Sequence, residues 1–360
     1  PSTMCHSERM GERLDSIPFS GIMRIRDMMF GIENPYRLDQ GDVGFDAPDA
    51  VKTGMSRAIA ENRTHYVQTV GIPRLRELIV DKLQNQNKIP IESVDDVMVT
   101  NGGIHGLYVI FHGLLEPGDE VLCADPMWPS TRGTIQSAQG VPVDCPLYES
   151  RRWRPDLDEL ESKVTQKTRA IVLNSPQNPT GGVLTETDIE RIAAIAQEHD
   201  LWVISDEAYE DIVFDGERHV SIASLPGMYD RTISVYTFSK SYAMTGLRLG
   251  YFAIKDPVIA DRIKKVLYYT CSNTGTVVQW GGVGGLEDAK NQVEAYRVEL
   301  QARRDLFYEG IRELGSGVRS GEPPKGAFYA FLRIDPAWRP PGSTGTVSYT
   351  DLTLPTNREV

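Results

Sequence analysis

Residues 236–251 read Tyr-Thr-Phe-Ser-Lys-Ser-Tyr-Ala-Met-Thr-Gly-Leu-Arg-Leu-Gly-Tyr. Lys240 lies here among small hydroxyl residues, directly after residues 232–236, whose apolar pattern predicts a buried strand. A lysine at such a strand end is poorly placed for a solvated face. Because desolvation lowers the pKa of a lysine amine, Lys240 is a candidate nucleophile towards an aldehyde. Taken by itself, the same residue also fits an ordinary surface lysine.

The sequence on both sides of this segment alternates between short apolar runs and helical patterns. The apolar runs predict strands at residues 97–100, 120–124, 170–173, 202–205, 232–236 and 249–254. Periodic apolar residues predict helices at residues 22–30, 74–83, 104–115, 188–199 and 256–268. Strands separated by helices predict an α/β fold with a mainly parallel sheet that helices cover on both faces.

Polar residues follow four of these strands at their carboxyl ends. They are Asn101-Gly-Gly103, residues 174–182, Asp206 and residues 237–240. Sheets of this kind bind ligands outside the carboxyl ends of their strands. The sequence therefore predicts one ligand site that these segments share.

Several of these residues suit a phosphate group beside Lys240. Arg248 can form a charge-assisted pair with a phosphate oxygen, and Thr237 offers a hydroxyl donor. Gly102 and Gly103 open a predicted helix, so backbone N–H groups and the helix dipole can hold the same anion. The dinucleotide pattern GxGxxG is absent, because this helix opens with Gly-Gly-Ile-His-Gly. A Gly-Gly pair alone is otherwise an ordinary tight turn.

The remaining strand ends supply partners for a pyridine ring. A carboxylate at Asp206 would keep a ring nitrogen protonated and make the ring an electron sink. Tyr209 and Asn178 can donate hydrogen bonds to a phenolate oxygen, and Trp128 can stack on the ring. Together with the Lys240 amine, these residues predict pyridoxal 5′-phosphate as cofactor. Each also has a structural alternative, namely a helix cap, a turn or a core position.

Three sequence motifs stand in the order and at the spacing found in a known protein family. They are Ser175-Pro-Gln-Asn-Pro-Thr-Gly181, Ser205-Asp-Glu-Ala-Tyr209 and Ser239-Lys-Ser-Tyr-Ala-Met-Thr-Gly-Leu-Arg248, supported by residues 64–76 and 324–329. With them the chain resembles the fold-type I pyridoxal-phosphate enzymes, specifically the class I and II aminotransferases of the aspartate aminotransferase kind. The likeness runs from residue 20 to residue 332. It implies a seven-stranded type of sheet in a large domain, a smaller α/β domain, and transfer of an amino group from an L-amino acid to a 2-oxo acid.

The resemblance also implies a role for each site residue. Lys240 would carry the cofactor as a Schiff base and move the proton between the substrate Cα and the cofactor C4′. Asp206 would pair with the pyridine nitrogen, while Asn178 and Tyr209 would bind the phenolate oxygen. The phosphate would be held by Gly102, Gly103, Ile104, Thr237 and Arg248.

Two further residues take their roles from the same resemblance. The backbone of Gly41, together with Asn178, would contact the substrate. Tyr66 would reach the phosphate bound by a neighbouring subunit. The resemblance therefore implies a homodimer with shared active sites.

The chain departs from the family pattern at two places. The family usually has Gly-Glu-Pro-Asp-Phe where this chain has Gly41-Asp-Val-Gly-Phe45, in a loop that touches the substrate. The family also continues to a C-terminal arginine that binds the substrate carboxylate, whereas Arg333 and Arg339 come too early and Arg358 lies in a vector-like stretch. We expect an N-terminal arm with part of the small domain at residues 1–45, a large cofactor-binding domain at 46–285, the start of a truncated small domain at 286–339, and a non-native tail at 340–360.

Composition excludes some classes of function. The formal net charge of −12 gives no basic footprint, so we expect no nucleic-acid partner. The cysteines, Cys5, Cys123, Cys145 and Cys271, have neither metal-ligand nor redox spacing, and we expect free thiols and no metal site. No leader peptide or membrane span is recognisable, so we expect a cytoplasmic protein.

Two other functions share these motifs. A lyase or synthase of the same fold, such as a carbon–sulfur lyase or an aminocyclopropane-carboxylate synthase, would use the same lysine and differ in how the carbanion decays. The effector-binding half of a transcription regulator also resembles aminotransferases. That reading needs a winged-helix domain in front, and too few residues precede the first motif to form one.

Overall fold

The structure is a computed structural model that describes residues 14–15, 17–18, 21–36, 38, 40–335 and 337–338. Its helices are α1 (Gly21–Met29), α2 (Asp49–Ala60), α3 (Pro73–Asn85), α4 (Gly103–Leu114), α5 (Pro129–Ser137), α6 (Leu157–Ser162), α7 (Glu186–Glu198), α8 (Phe238–Ser241), α9 (Pro257–Cys271), α10 (Thr276–Asp288) and α11 (Lys290–Glu313). Its strands are β1 (Val97–Thr100), β2 (Glu120–Asp125), β3 (Val141–Tyr148), β4 (Arg154–Pro155), β5 (Thr168–Asn174), β6 (Trp202–Asp206), β7 (Thr232–Thr237), β8 (Gly250–Ala253), β9 (Val318–Arg319) and β10 (Arg333–Ile334).

An eight-stranded sheet with the order β1-β8-β7-β6-β5-β2-β3-β4 dominates the described chain. The neighbours from β7 through β6, β5 and β2 to β3 pair in parallel. Strand β8 is antiparallel to both β1 and β7, and the short β4 is antiparallel to β3. Strands β9 and β10 form a separate two-stranded sheet. The predicted mainly parallel α/β fold is confirmed. The sheet has eight strands where a seven-stranded type was expected, because the two-residue β4 pairs with β3 at one edge.

The reversed strand β8 decides which residues meet at one edge of the sheet. Because β8 is antiparallel to both of its neighbours, β1 and β7 run in the same direction. Gly250, the first residue of β8, pairs with Thr100 at the end of β1 and with Thr237 at the end of β7. Residues just before Gly250, including Arg248, therefore lie at the carboxyl edge of the parallel strands.

Helices cover both faces of the sheet. Apolar side chains of α4, α5 and α9 form one buried cluster with the strands, and those of α6 and α7 form another on the opposite face. A third cluster joins α3 to β1, β7 and β8. The strands β1 and β8 are buried along their whole length, which explains their uninterrupted apolar sequences.

Local sequence signals set the ends of two helices that the sequence predicts. Helix α3 begins at Pro73, a residue whose fixed φ suits the first helical position and whose missing N–H costs no hydrogen bond there. Helix α7 begins with a capping box, in which the Thr185 hydroxyl accepts from the Asp188 N–H and the Asp188 carboxylate accepts from the Thr185 N–H.

The elements predicted from the sequence do not include strands β3, β4, β9 and β10 or helices α2, α5, α6, α8, α10 and α11. Helix α10 contains Gly281, Gly282, Gly284 and Gly285, a composition that normally argues against a helix. In the structure these glycines allow close approach of α2, since a Cβ at Gly284 would clash with the carbonyl of Ala50. Packing between α2 and α10 therefore stabilises a helix that the low helix propensity of glycine disfavours.

Two expectations fall partly or wholly outside the described residues. The proposed tail at residues 340–360 and the position of Arg339 lie there, as does Cys5. Cys123, Cys145 and Cys271 are free thiols. Among the helices that the structure describes, none combines the length and the apolar character needed to cross a membrane.

Candidate active site

Lys240 lies on the short helix α8, which follows β7 at the carboxyl edge of the sheet. Thr237 caps this helix by accepting a hydrogen bond from the Ser239 N–H at 3.1 Å. The Lys240 ammonium donates to the carbonyl of Gly41 and lies 5.9 Å from the ring centre of Tyr209 and 5.4 Å from that of Phe328. The strand therefore places the amine in a recess that aromatic rings line in part.

This environment favours the neutral amine. Burial lowers the pKa of Lys240 to about 8, and the nearby Arg248 guanidinium acts in the same direction, against the opposing charges of Asp42 and Asp206. A larger fraction of the Lys240 side chain is therefore a free nucleophile near neutral pH than for a solvated lysine.

Asp206 ends strand β6, which is the second strand from β8 in the sheet. Its Oδ1 accepts from the Ala208 N–H at 3.2 Å, and its backbone carbonyl accepts from the Asn174 side-chain amide at 3.0 Å. Burial raises the pKa of Asp206 to about 6. A cationic partner would lower this pKa again, so the carboxylate is suited to hold a protonated ring nitrogen.

Asn178 and Tyr209, predicted to act on one oxygen atom, are in contact. The Asn178 amide Nδ2 donates to the Tyr209 hydroxyl at 3.3 Å. Burial keeps the pKa of Tyr209 well above its ordinary value, so the hydroxyl stays protonated and can donate to an anionic oxygen. This pair comes from two different loops, after β5 and β6.

Tyr329 joins this pair, although the sequence analysis assigned it no role. Its hydroxyl lies 2.5 Å from the Tyr209 hydroxyl and 3.2 Å from Asn178 Nδ2. A Cβ at Gly41 would also meet the Tyr329 hydroxyl. The motif Gly326-Ala-Phe-Tyr329 was part of the resemblance, and it was the signal that could have identified Tyr329.

A cradle for an anion lies between the ends of β1 and β7. Gly102 has a φ of +84° and precedes α4, and a Cβ placed on it would lie only 2.5 Å from Arg248 Nη2. A Cβ on Gly103 would lie 3.5 Å from Cβ of Thr237. Arg248 Nη1 donates to the Thr245 carbonyl at 2.7 Å, which leaves its other amino group directed towards Gly102. Ile104 is the second residue of α4.

These contacts meet the requirements of a phosphate group. The first turn of α4 presents free backbone N–H groups and the positive end of the helix dipole. A guanidinium lies against the same turn, and the absence of a side chain at Gly102 leaves the N–H groups accessible. Because Lys240 and Asp206 lie at the same sheet edge, the residues present fit pyridoxal phosphate.

Three other predicted site residues lie in different surroundings. Trp128 precedes α5 and packs, partly buried, against the cluster on that face of the sheet. Gly41 is placed beside Lys240 by its carbonyl. Tyr66 is 89 % exposed, so its side chain is accessible to a second molecule.

A family model, several known proteins and several solved structures match this chain. The sequence profile of the family described as "Aminotransferase class I and II" matches residues 32–352. Aspartate aminotransferase of Pyrococcus abyssi is 39 % identical over 327 residues, which are 90 % of this chain and 83 % of that protein. Aromatic-amino-acid aminotransferase 2 of Thermococcus litoralis is 38 % identical, with coverages of 90 % and 83 %. A crystal structure of aspartate aminotransferase from Thermus thermophilus with maleate has a TM-score of 0.85 at 31 % identity, covering 90 % of this chain and 84 % of that chain.

Proposed function

The chain belongs to the class I and II aminotransferase family and is an aminotransferase, and we propose that it uses pyridoxal phosphate held on Lys240. The observation that carries this proposal is the meeting of three features at one sheet edge. They are an amine with a lowered pKa, the buried Asp206 carboxylate and the anion cradle at Gly102 and Arg248.

When bound, pyridoxal phosphate supplies an aldehyde that condenses with amines and a ring that withdraws electrons from the substrate Cα. The residues of this chain have separate tasks around it. Asp206 would hold a proton on the ring nitrogen, while Asn178 and Tyr209 would donate to the phenolate oxygen. Gly102, Gly103, Ile104, Thr237 and Arg248 would bind the phosphate, and Trp128 would stack on the ring.

Lys240 would act twice. Its Nζ would first hold the cofactor covalently. Once substrate has displaced it, the neutral Nζ would accept the proton from the substrate Cα and deliver it to the cofactor C4′. A pKa of about 8 suits this work, because the amine both accepts and releases a proton near neutral pH.

For the substrate, we propose the dicarboxylic or aromatic L-amino acids, with a 2-oxo acid as acceptor. This follows the relatives named as aspartate and aromatic-amino-acid aminotransferases. The Gly41 backbone would contact the substrate carboxylate from its position beside Lys240. The exposure of Tyr66 supports a homodimer in which this side chain reaches the partner's phosphate.

The half-reaction with an amino donor tests the proposal. Enzyme loaded with pyridoxal phosphate is mixed with aspartate or phenylalanine, and the near-visible absorption is followed as the pyridoxamine form appears. Asp206→Ala should slow this change by about 10²–10⁴-fold while phosphate-mediated binding persists, because the ring loses its protonated nitrogen.

Asp96→Ala is the matched control, because Asp96 is also a carboxylate withdrawn from full solvent exposure but lies before β1, at the opposite edge of the sheet. Unimpaired turnover by Asp206→Ala would show that Asp206 is not needed to hold a proton on the ring nitrogen. Ammonia and an elimination product, without a pyridoxamine form, would instead indicate a lyase.

A further inference from the structure

The side chains of the tight turn after β6 point in two directions. Asp206 and Tyr209 direct their side chains towards the Lys240 site, as described above. The two acidic residues between and after them, Glu207 and Glu210, direct theirs into the protein interior. These carboxylates touch no group that the proposed reaction uses, and their burial requires an explanation.

Glu207 is 1 % exposed and is surrounded by hydrogen-bond donors. Its carboxylate accepts from Ser221 at 2.7 Å and from Ser205 at 3.0 Å. The Tyr236 hydroxyl donates to it at 2.9 Å, and the His219 ring nitrogen Nε2 lies 2.8 Å away. The donors come from β6, from β7 and from the loop between them, so one carboxylate joins three parts of the chain.

Glu210 has its own buried partners. Lys82 of α3 donates to Oε1 at 2.6 Å, and the Asn87 amide donates to Oε2 at 2.6 Å. The Lys82 ammonium also donates to the Asn87 carbonyl oxygen at 3.0 Å. Glu210 therefore ties the turn to a helix on the outer side of the sheet.

The charges of this network are nearly balanced. Burial alone would raise the pKa of Glu207, but the His219, Ser221 and Tyr236 donors hold it below its ordinary value. Burial lowers the pKa of Lys82, and the charges of Glu210 and Asp211 reverse this and raise it. Burial also raises the pKa of Glu210, although the charge of Lys82 opposes this rise. Both carboxylates accept hydrogen bonds in an interior from which water is largely excluded.

Tyr209 lies within the turn that carries these two carboxylates. Tyr209 lies between Glu207 and Glu210 in sequence, and its hydroxyl must reach Asn178 on another loop. The turn itself is closed by short-range backbone bonds, from Glu210 N–H to the Glu207 carbonyl at 3.1 Å and from Ile212 N–H to the Tyr209 carbonyl at 2.8 Å. The Glu207 N–H also donates to the Val235 carbonyl of β7 at 2.9 Å, which anchors the start of the turn to the sheet. The side chains of Glu207 and Glu210 tie the turn further, to the loop before β7 and to α3.

We propose that Glu207 and Glu210 are positioning residues that clamp the turn on both sides of Tyr209 and so fix the Tyr209 hydroxyl on the cofactor's phenolate oxygen. This inference rests on the proposed function, because it concerns a bond to the cofactor. The two halves of the clamp are linked, because the Asn87 amide donates to Glu210 at 2.6 Å and also lies 3.5 Å from Glu207, and the Lys82 ammonium lies 4.7 Å from the Tyr236 ring centre.

Two buried tyrosines provide a matched test of the clamp. Tyr236 donates to Glu207 at 2.9 Å, and Tyr229 donates to Asp96 at 2.8 Å, remote from the Lys240 edge. Tyr236→Phe and Tyr229→Phe each remove one hydroxyl from one carboxylate. The readout is the pH midpoint of the near-visible absorption change of enzyme loaded with pyridoxal phosphate.

A donor on the phenolate oxygen stabilises its charge and lowers this midpoint, so its loss raises the midpoint. Tyr209→Phe should raise it by about one pH unit, the size expected for one hydrogen bond to a charged group. Tyr236→Phe should raise it by a smaller amount, whereas Tyr229→Phe should leave it at the wild-type value and lower only the melting temperature. Equal midpoints for Tyr236→Phe and Tyr229→Phe would overturn the proposal.

A double variant distinguishes positioning from general loosening. If the clamp acts through Tyr209, adding Tyr236→Phe to Tyr209→Phe should raise the midpoint no further. Additive shifts would overturn the proposal. Glu210→Gln, which weakens the other half of the clamp, should shift the midpoint in the same direction as Tyr236→Phe. Ser221→Ala, which removes another donor from Glu207, provides the test if Tyr236→Phe does not fold.

Failure of the proposed function would look different. Wild-type enzyme would then show no near-visible absorption from a lysine-bound cofactor and no cofactor fixed by borohydride. If the wild type shows both and the Tyr236→Phe midpoint does not move, the clamp alone is refuted.

Discussion

In the part of the chain that the structure describes, Lys82 and Lys240 are both held largely away from solvent, and their surroundings differ. Lys82 lies on α3 with its ammonium 2.6 Å from Glu210 and 4.7 Å from the Tyr236 ring centre. Lys240 lies at the sheet edge near the Tyr209 and Phe328 rings, with a backbone carbonyl as its hydrogen-bond acceptor. Carboxylates hold the pKa of Lys82 above its ordinary value, whereas burial lowers that of Lys240 to about 8.

The difference shows that burial alone does not make a lysine reactive. An adjacent carboxylate compensates for lost hydration and keeps the ammonium charged. A neutral carbonyl and aromatic faces compensate only in part, so the neutral amine becomes accessible. We therefore propose that Lys82 is a structural cation and that Lys240 is a nucleophile. The following variants test this contrast.

The largest effect is expected for Lys240→Ala. Because the amine would hold the cofactor and transfer the proton, the transamination rate should fall by about 10⁴-fold or more. The melting temperature should change little, since the Lys240 amine bonds to the Gly41 carbonyl and makes no direct ion pair with a carboxylate in the described part of the chain. Steady-state assays and thermal unfolding together check this. A variant that retains a tenth of the wild-type rate would contradict the role given to Lys240.

Lys82→Met should show the opposite pattern. Leaving the Glu210 carboxylate buried without its cation should lower the free energy of unfolding by about 3–5 kcal/mol, as is usual for a broken buried pair. Denaturant unfolding measures this directly. The double variant Lys82→Met/Glu210→Gln is the control, because removing both charges should restore much of the loss. No destabilisation in Lys82→Met would show that the two lysines are not distinguished by their partners.

Much of this contrast could be predicted from the sequence, but not all of it. The motif around Lys240 and the strand ends at Asp206 and Gly102 were identified from apolar runs followed by polar residues. The partners of Lys82 were not, because residue 210 is 128 positions away from it and no local pattern signals the pair. Long-range contacts of this kind depend on tertiary packing.

The same reason explains the other omissions. The reversal of β8, which brings Arg248 to Gly102, is invisible in an alternation of strands and helices. Tyr329 stands beside Asn178 although it is 151 positions later in the chain. Strand β3 contains Pro142 and Pro146, residues that normally argue against a strand. Local patterns identified the strand ends, and packing determined which of them meet.

Gly102→Ala sharpens the contrast through the cation that faces the Lys240 site. A methyl group there would lie 2.5 Å from Arg248 Nη2 and would strain a residue at φ +84°. The affinity for pyridoxal phosphate should fall by about 10–100-fold, corresponding to about 1–3 kcal/mol. Gly118→Ala is the matched control, since Gly118 has a φ of +88° but no neighbouring atom within 4 Å. Fluorescence titration measures both affinities, and equal losses would refute the cradle.

The smallest expected effect is on the pH dependence of the rate at which Lys240 is acylated. In protein without cofactor, the Lys240 amine should react with an acylating reagent at a rate that rises about tenfold per pH unit below pH 8 and levels off above about pH 8. The rise follows the fraction of neutral amine. Lys82 should stay unreactive throughout this range, because its raised pKa keeps it protonated. Peptide mapping after timed labelling separates the two sites, and a midpoint near that of free lysine at Lys240 would contradict the account.

The most direct measurement identifies which lysine holds the cofactor. Protein loaded with pyridoxal phosphate is reduced with borohydride and digested, and the modified peptide is sequenced by mass spectrometry. The account predicts that the reduced cofactor is on the peptide containing Lys240, that the Lys82 peptide is unmodified, and that Lys240→Ala yields no adduct. A cofactor fixed on Lys82, or an equal yield of adduct from Lys240→Ala, would contradict it.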